Sequence, residues 1–286
     1  MNIKKLATTC LMLCVAASAL AQDDRFASVT IETVPVTGNI SMLIGSGGNI
    51  GVSTGSDGLL IIDDQYGPLA AKIRAALSQL SSDAPKFLLN THFHGDHTGG
   101  NADFGVASII IAHENVRGRL IAGDSPDSAL PVITFDEDVT VHFNGENITL
   151  IHMPRGHTDT DSVVMFEESN VIHMGDHFFN GGFPFVDLAS GGTVQGYISN
   201  LEKALSWIDD DTSVIPGHGP LGTKADLLAF YNVVKDTSTT IRVMKSQQMS
   251  AEEAVAEGLG DEYESWGQGF INEQRWIETV FASYPR

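Results

Sequence analysis

Thr91-His92-Phe93-His94-Gly95-Asp96-His97 sets three imidazoles and a carboxylate within six positions, His92 to His97. These are nitrogen and oxygen donors of the kind that hold Zn²⁺, packed more densely than a polar surface loop requires. Side chains alternate along an extended segment, so His92 and His94 face one side. Gly95 lets the chain turn and aims Asp96 and His97 at a second point. The pattern suits two ions a few ångströms apart better than one. Three further pieces set a His or Asp beside glycine just past an apolar run: Arg155-Gly156-His157-Thr158, Met174-Gly175-Asp176 and Pro216-Gly217-His218-Gly219. Each is weak alone; joined to the His-rich segment they form one constellation. Zinc lowers the pKa of bound water to about 7, so the expected chemistry is hydrolysis by a metal-bound hydroxide. No Ser–His–Asp arrangement competes for the role, so no covalent enzyme intermediate is expected.

The elements that must position these residues follow from pattern. Ile40–Ile44, Ile50–Ser53 and Leu59–Asp63 are apolar runs between Gly-rich turns and predict a β-meander. Leu69–Leu80 has helical apolar spacing. Phe87–Asn90 predicts a strand directly before the His-rich segment, then Ser108–Ala112 a strand and Glu114–Ala122 a helix. Val139–Phe143 and Ile148–Met153 predict a hairpin turned at Asn144-Gly145. Val163–Phe166 and Val171–Met174 predict another strand pair, Ser213–Ile215 a short apolar strand, and Tyr197–Ile208, Lys224–Lys245 and Ala251–Glu257 helices. Strands followed by helices, twice over, predict two sheets between outer helices.

In order and composition, His92-Phe93-His94-Gly95-Asp96-His97, Gly156-His157-Thr158, Gly175-Asp176 and Pro216-Gly217-His218-Gly219 resemble the metallo-β-lactamase superfamily over roughly residues 28 to 222. The resemblance implies an α/β fold, a four-layer αββα sandwich with its site at one edge. It implies a zinc-dependent hydrolase with two Zn²⁺ per chain. His92, His94 and His157 would hold the first metal, Asp96, His97 and His218 the second, and Asp176 would bridge them. Asp96 is also the expected catalytic residue, orienting the hydroxide. The substrate would be a small molecule with an ester-type or cyclic amide carbonyl: a lactone, a β-lactam or a thioester. An aspartate at the Asp176 position resembles the glyoxalase II-like and lactonase-like branches rather than the best-known β-lactamases. The basic glutathione-binding region of glyoxalase II is not evident here. Two other classes stay open: a mononuclear iron oxygenase of the persulfide dioxygenase type, and a catalytically silent zinc-binding protein.

Composition narrows the partners. The 286 residues carry 16 Lys+Arg against 36 Asp+Glu, a net charge of −20, which repels phosphate and argues against nucleic acid or an anionic membrane as partner. Residues 1–21 read as a cleaved signal peptide: Lys4 and Lys5, the apolar stretch Leu6–Ala17, then Ala19-Leu20-Ala21. The mature chain would begin at Gln22 as one domain, residues 22–286, with C-terminal helices from about 224, in the periplasm or secreted, with no membrane span. Both cysteines, Cys10 and Cys14, fall in the signal, so thiolate ligands and disulfides are excluded from the mature chain.

Several residues shape expectations around the centre. Phe178, Phe179, Phe183 and Phe185 offer either an apolar pocket wall or plain core packing. The Ile44–Ile50 hairpin, with a Gly-rich tip, is either a lid or an ordinary turn. Asp63 or Asp64, or else Asp159 or Asp161, would hydrogen-bond a ligand imidazole. His177 is a neighbour of the site, while His113, His142, His152 and His173 are structural or exposed. Trp266, Phe270, Trp276, Phe281 and Tyr284 supply apolar bulk to a tail that covers a sheet, contacts a second copy or rims the pocket.

Overall fold

The computed structural model describes residues 25–284; the expected signal peptide, with Cys10 and Cys14, lies outside them. Seven strands form the first sheet in chain order: β1 (Glu32–Thr37), β2 (Ile40–Ile44), β3 (Ile50–Gly55), β4 (Gly58–Ile62), β5 (Pro85–Leu89), β6 (Ile109–His113) and β7 (Ile133–Phe135). Pairing is antiparallel as far as β4 and parallel from β4 to β7. The second sheet holds β8 (Asp138–Phe143), β9 (Glu146–His152), β10 (Ser162–Phe166), β11 (Val171–His173), β12 (Ser213–Ile215) and β13 (Gly222–Thr223). Its pairs are antiparallel except β11 with β12.

Alternation along the strands builds the layers. Leu60 and Ile62 of β4 face the second sheet and share a core with Ile148, Leu150, Val164 and Phe166. Leu59 and Ile61 of the same strand face outward onto Ile73 and Leu77 of helix α1 (Ala70–Leu77). β4 is thus apolar on both faces because both are covered. The second sheet turns Val163, Ile172 and Val214 outward, against Tyr197, Leu201, Phe230 and Trp276. The result is the expected αββα sandwich.

Local chemistry explains most boundaries. Asn144 and Gly145 have φ of 56° and 78°, so the β8–β9 hairpin closes in the left-handed turn that matches strand twist. The helix expected over 69–80 is shorter, a 3₁₀ turn at Gly67–Leu69 and then α1. β1, β7 and β13 have no counterpart among the expected strands: β1 is an edge strand with no buried residue, and β7 and β13 have only three and two residues. Two short helices, α2 (Gly95–Thr98) and α3 (Asn101–Phe104), follow the His-rich segment, and α4 (Glu114–Ala122) follows β6. α5 (Val194–Trp207), α6 (Lys224–Ser246), α7 (Ala251–Glu257) and α8 (Glu273–Ser283) pack on the second sheet's side. Thr193 caps α5, and Thr223 and Ser250 close capping boxes on α6 and α7. Among the described residues no helix is long and apolar enough to cross a membrane.

Candidate metal centre

Four strands deliver the constellation from their carboxyl ends. β5 runs into Thr91–His97, β9 into the His157 loop, β11 into Asp176 and β12 into His218. His94 is extended and α2 begins at once behind it, with His97 N and Thr98 N donating to His94 O. That break is why one hexapeptide aims side chains at two points. His92, His94, His157 and Asp176 each bring a ligand atom within 4.8 Å of the others, and so do Asp96, His97 and His218. His94 Nδ1 lies 3.1 Å from His92 Nε2 and 2.8 Å from His157 Nε2.

Asp176 stands between the groups. Its Oδ2 faces His157 Nε2 at 3.3 Å and His92 Nε2 at 3.8 Å. Its Oδ1 faces His97 Nε2 at 3.0 Å and His218 Nε2 at 3.3 Å. Asp96 Oδ2 lies 3.5 Å from His218 Nε2 and 3.9 Å from His97 Nε2. Burial would raise the Asp176 carboxyl, yet the imidazoles of His97, His218, His157 and His92 hold it well below the ordinary range. Burial likewise opposes charge on His97, yet Asp176, Asp63 and Asp96 raise it well above its ordinary value. The field at this point favours a cation.

The outer hydrogen bonds fix where the imidazole protons sit. His94 Nε2 donates to Asp187 Oδ2 at 3.2 Å, and His157 Nδ1 to Phe185 O at 2.7 Å. His97 Nδ1 donates to Asp63 Oδ2 at 2.7 Å. Thr91 Oγ1 gives its one proton to Asp63 Oδ2 and so accepts from His92 Nδ1 at 3.1 Å. Each of these four rings therefore turns its other nitrogen inward, a lone pair wherever the ring is neutral, as it is beside a bound cation. Lone pairs converging at such distances repel unless a cation lies among them. His97 Nε2 and Asp176 Oδ1 are buried with no hydrogen-bond partner, the mark of donors waiting for one. The donor set fits two Zn²⁺ by its chemistry.

Glycine makes room for this crowding. A Cβ on Gly217 would run into Asp176 Oδ1, and one on Gly48 into the His97 ring. The Gly48 hairpin tip is tied down rather than free: Gly48 N donates to Asp96 O, Asn49 N to Gly217 O, and Asn49 Nδ2 to Pro216 O and Gly219 O. Ser46 and Gly47 nonetheless line the cleft above the cluster, which has a volume of about 580 Å³. The phenylalanine run divides. Phe178 and Phe183 are core, whereas Phe179 and Phe185 are half-buried and line the cleft; Phe183 touches both.

The expected neighbours divide too. Asp63 takes the imidazole of His97, while Asp64 bonds Gly100 N and burial raises its carboxyl well above the usual range. Asp159 is held by Arg119, and Asp161 by Thr158. His177 bonds Asn200 and stacks on Tyr197, and burial lowers it to about 3. His113, His152 and His173 are buried or half-buried outside the cluster, and His142 is exposed. Sequence reasoning missed Asp187, the partner of His94, and Tyr197, whose hydroxyl donates to Asp176 O at 2.8 Å. No local pattern marks either one.

Residues 38–218 match the family model described as the metallo-beta-lactamase superfamily, and the chain belongs to that family. A hydroxyacylglutathione hydrolase from Polaromonas sp. (strain JS666) is 34% identical over 135 residues, 46% of this chain and 47% of the relative. The 2,4-dinitroanisole O-demethylase subunit alpha from Nocardioides sp. (strain JS1661) is 28% identical over 194 residues, 66% of this chain and 58% of the relative. The chain thus spans about half the length of the curated relatives it matches. Among solved structures, a metallo-beta-lactamase from Pontibacter korlensis superposes with a TM-score of 0.63 over 72% of this chain and 99% of the other, at 16% identity. That likeness speaks to fold alone.

Proposed function

We propose that this protein is a dinuclear zinc hydrolase acting on an ester-type or cyclic amide carbonyl: a lactone, a β-lactam or a thioester. The observation that carries the reading is Asp176, one oxygen turned to each of two imidazole groups whose lone pairs converge. His92, His94 and His157 would hold one ion, Asp96, His97 and His218 the other, and Asp176 both. Zinc held there would supply a Lewis acid for the substrate carbonyl and would lower the pKa of bound water to about 7. The chain's own work is positional. Asp63, Asp187, Thr91 and the Phe185 carbonyl lock the imidazole tautomers, so the donors need no rearrangement. Asp96 lines the cleft and turns Oδ2 to the histidines, which would leave its Oδ1 to orient the attacking water.

The family of the chain and the acyl-group hydrolase among its relatives support this class. The decisive experiment is elemental analysis of the purified protein, followed by a panel of lactones, lactams and thioesters. Two zinc per chain and turnover that disappears in His94→Ala, Asp96→Ala and Asp176→Ala, each still folded by circular dichroism, are expected. One iron per chain overturns the hydrolase in favour of an oxygenase. Full activity in Asp96→Ala removes its role in orienting water. We further propose export, supported by Lys4, Lys5 and Ala19-Leu20-Ala21, with Gln22 as the mature N-terminus; intact mass of the protein from its native cells tests this.

A further inference from the structure

The cleft has two unlike sides. Its floor is polar, with His94, Asp96, Asp176 and His218. Its walls are rings that step outward from that floor. Phe179 stacks on His218, centroids 5.1 Å apart and 14° between planes. Phe185 stacks on His94 at 5.9 Å, and Phe270 meets Phe185 edge-on at 6.0 Å. Phe270 is 72% exposed, whereas Phe178 and Phe183 are buried. Packing therefore does not explain why an apolar ring stands at the mouth.

Phe270 is held there all the same. Its segment is tied to the phenylalanine loop by Phe183 N donating to Trp266 O at 2.9 Å. Arg275 Nη1 donates to Phe270 O, and the guanidinium lies 4.9 Å from the Phe270 ring centroid. Trp266, Phe270 and Arg275 lie beyond the matched span of 38–218, so the outermost ring of the wall comes from the C-terminal segment, while Phe179 and Phe185 lie within the span.

Among the described residues that line the cleft, none is Lys or Arg. Two guanidiniums stand at the rim rings, Arg275 at Phe270 and Arg25 at 5.0 Å from Tyr66, but neither lines the cleft. A carboxylate on the outer part of a substrate would lose water there with no cation to replace it. An apolar arm would gain from the same walls.

We propose that the cleft selects an uncharged acyl compound, an ester or lactone whose apolar arm is about the size of one aromatic ring, and that Phe270 sets this preference. The inference rests on the hydrolase reading for the reaction, while the preference itself belongs to the walls. The test uses the full zinc-loaded chain and p-nitrophenyl esters that share a leaving group: phenylacetate, hemisuccinate and acetate. The phenylacetyl ester is expected to exceed the hemisuccinyl ester at least about tenfold in kcat/KM. Phe270→Ala is expected to lower the phenylacetyl-to-acetyl ratio about five- to tenfold through KM, and Phe270→Leu to restore most of it. Calorimetry with phenylacetohydroxamate and succinic monohydroxamate, which share a metal-binding head, reads the same preference without turnover. Tighter binding of the phenyl compound, weakened in Phe270→Ala, supports the inference even where no ester is hydrolysed, an outcome that, joined to no turnover of the lactone, lactam and thioester panel, instead overturns the hydrolase reading. Ester hydrolysis with no preference between phenylacetyl and hemisuccinyl, or a ratio that Phe270→Ala leaves unmoved, overturns the inference and leaves the hydrolase reading standing.

Discussion

Two groups of histidines sit at strand ends in this chain, and only one is built for a metal. His113 ends β6 and His152 ends β9, and their rings lie flat together with centroids 3.7 Å apart and 11° between planes. His113 Nδ1 accepts from Asn115 N, capping α4, and His152 Nδ1 bonds Asp161 O. These nitrogens serve the backbone, and no carboxylate stands between the rings. In the cluster around Asp176 the outer nitrogens are tied instead, and the inner lone pairs meet. A strand-end histidine becomes a ligand when its outer partner turns the free nitrogen toward others like it.

The sharpest way to break this contrast is to remove its centre. Asp176→Ala takes an oxygen from both groups, and metal content is expected to fall from two per chain to below one, with turnover abolished. Normal occupancy in that variant would mean that Asp176 does not join the groups. His218→Ala is expected to do less, emptying the second position while His92, His94 and His157 keep the first; titration of zinc against a chelating indicator separates the two.

A smaller effect tests the outer partners. Asp63 sits at φ 62°, a conformation that Asn also tolerates, so Asp63→Asn keeps the backbone and removes the charge facing His97. Affinity at the second position is expected to fall about 10–100-fold, with a smaller fall at the first through Thr91 and His92. Equal weakening of both would show that Asp63 supports the fold rather than one ring.

The smallest effect concerns the stacked pair. Burial lowers both His113 and His152. Below about pH 6.5 the unfolded chain binds protons that the folded pair resists. Stability contributed by the neutral stack is therefore full above that value and declines as pH drops, until the folded pair itself protonates. Thermal unfolding from pH 7.5 to 5 is expected to show a shallower decline for His113→Phe/His152→Phe than for the parent chain. An unchanged slope would mean that the stack does not govern the pH response.

Sequence alone marked the candidate ligand segments and the fold class. Histidine and aspartate are scarce enough, and the glycines beside them specific enough, that type and spacing mark the segments without any neighbour. Apolar runs bounded by turn residues marked strands for the same local reason, as in Leu59 to Ile62. Only the tertiary structure decided which of two adjacent aspartates meets His97, since Asp63 and Asp64 differ by a backbone angle and not by composition. It also decided which phenylalanines leave the core, and it brought Asp187 to His94 and Phe270 to Phe185 across gaps of 93 and 85 residues. Contacts of that range are set by how the layers stack. Local pattern records a residue's type and its neighbours in the chain, but not what the second sheet and the C-terminal helices bring against it.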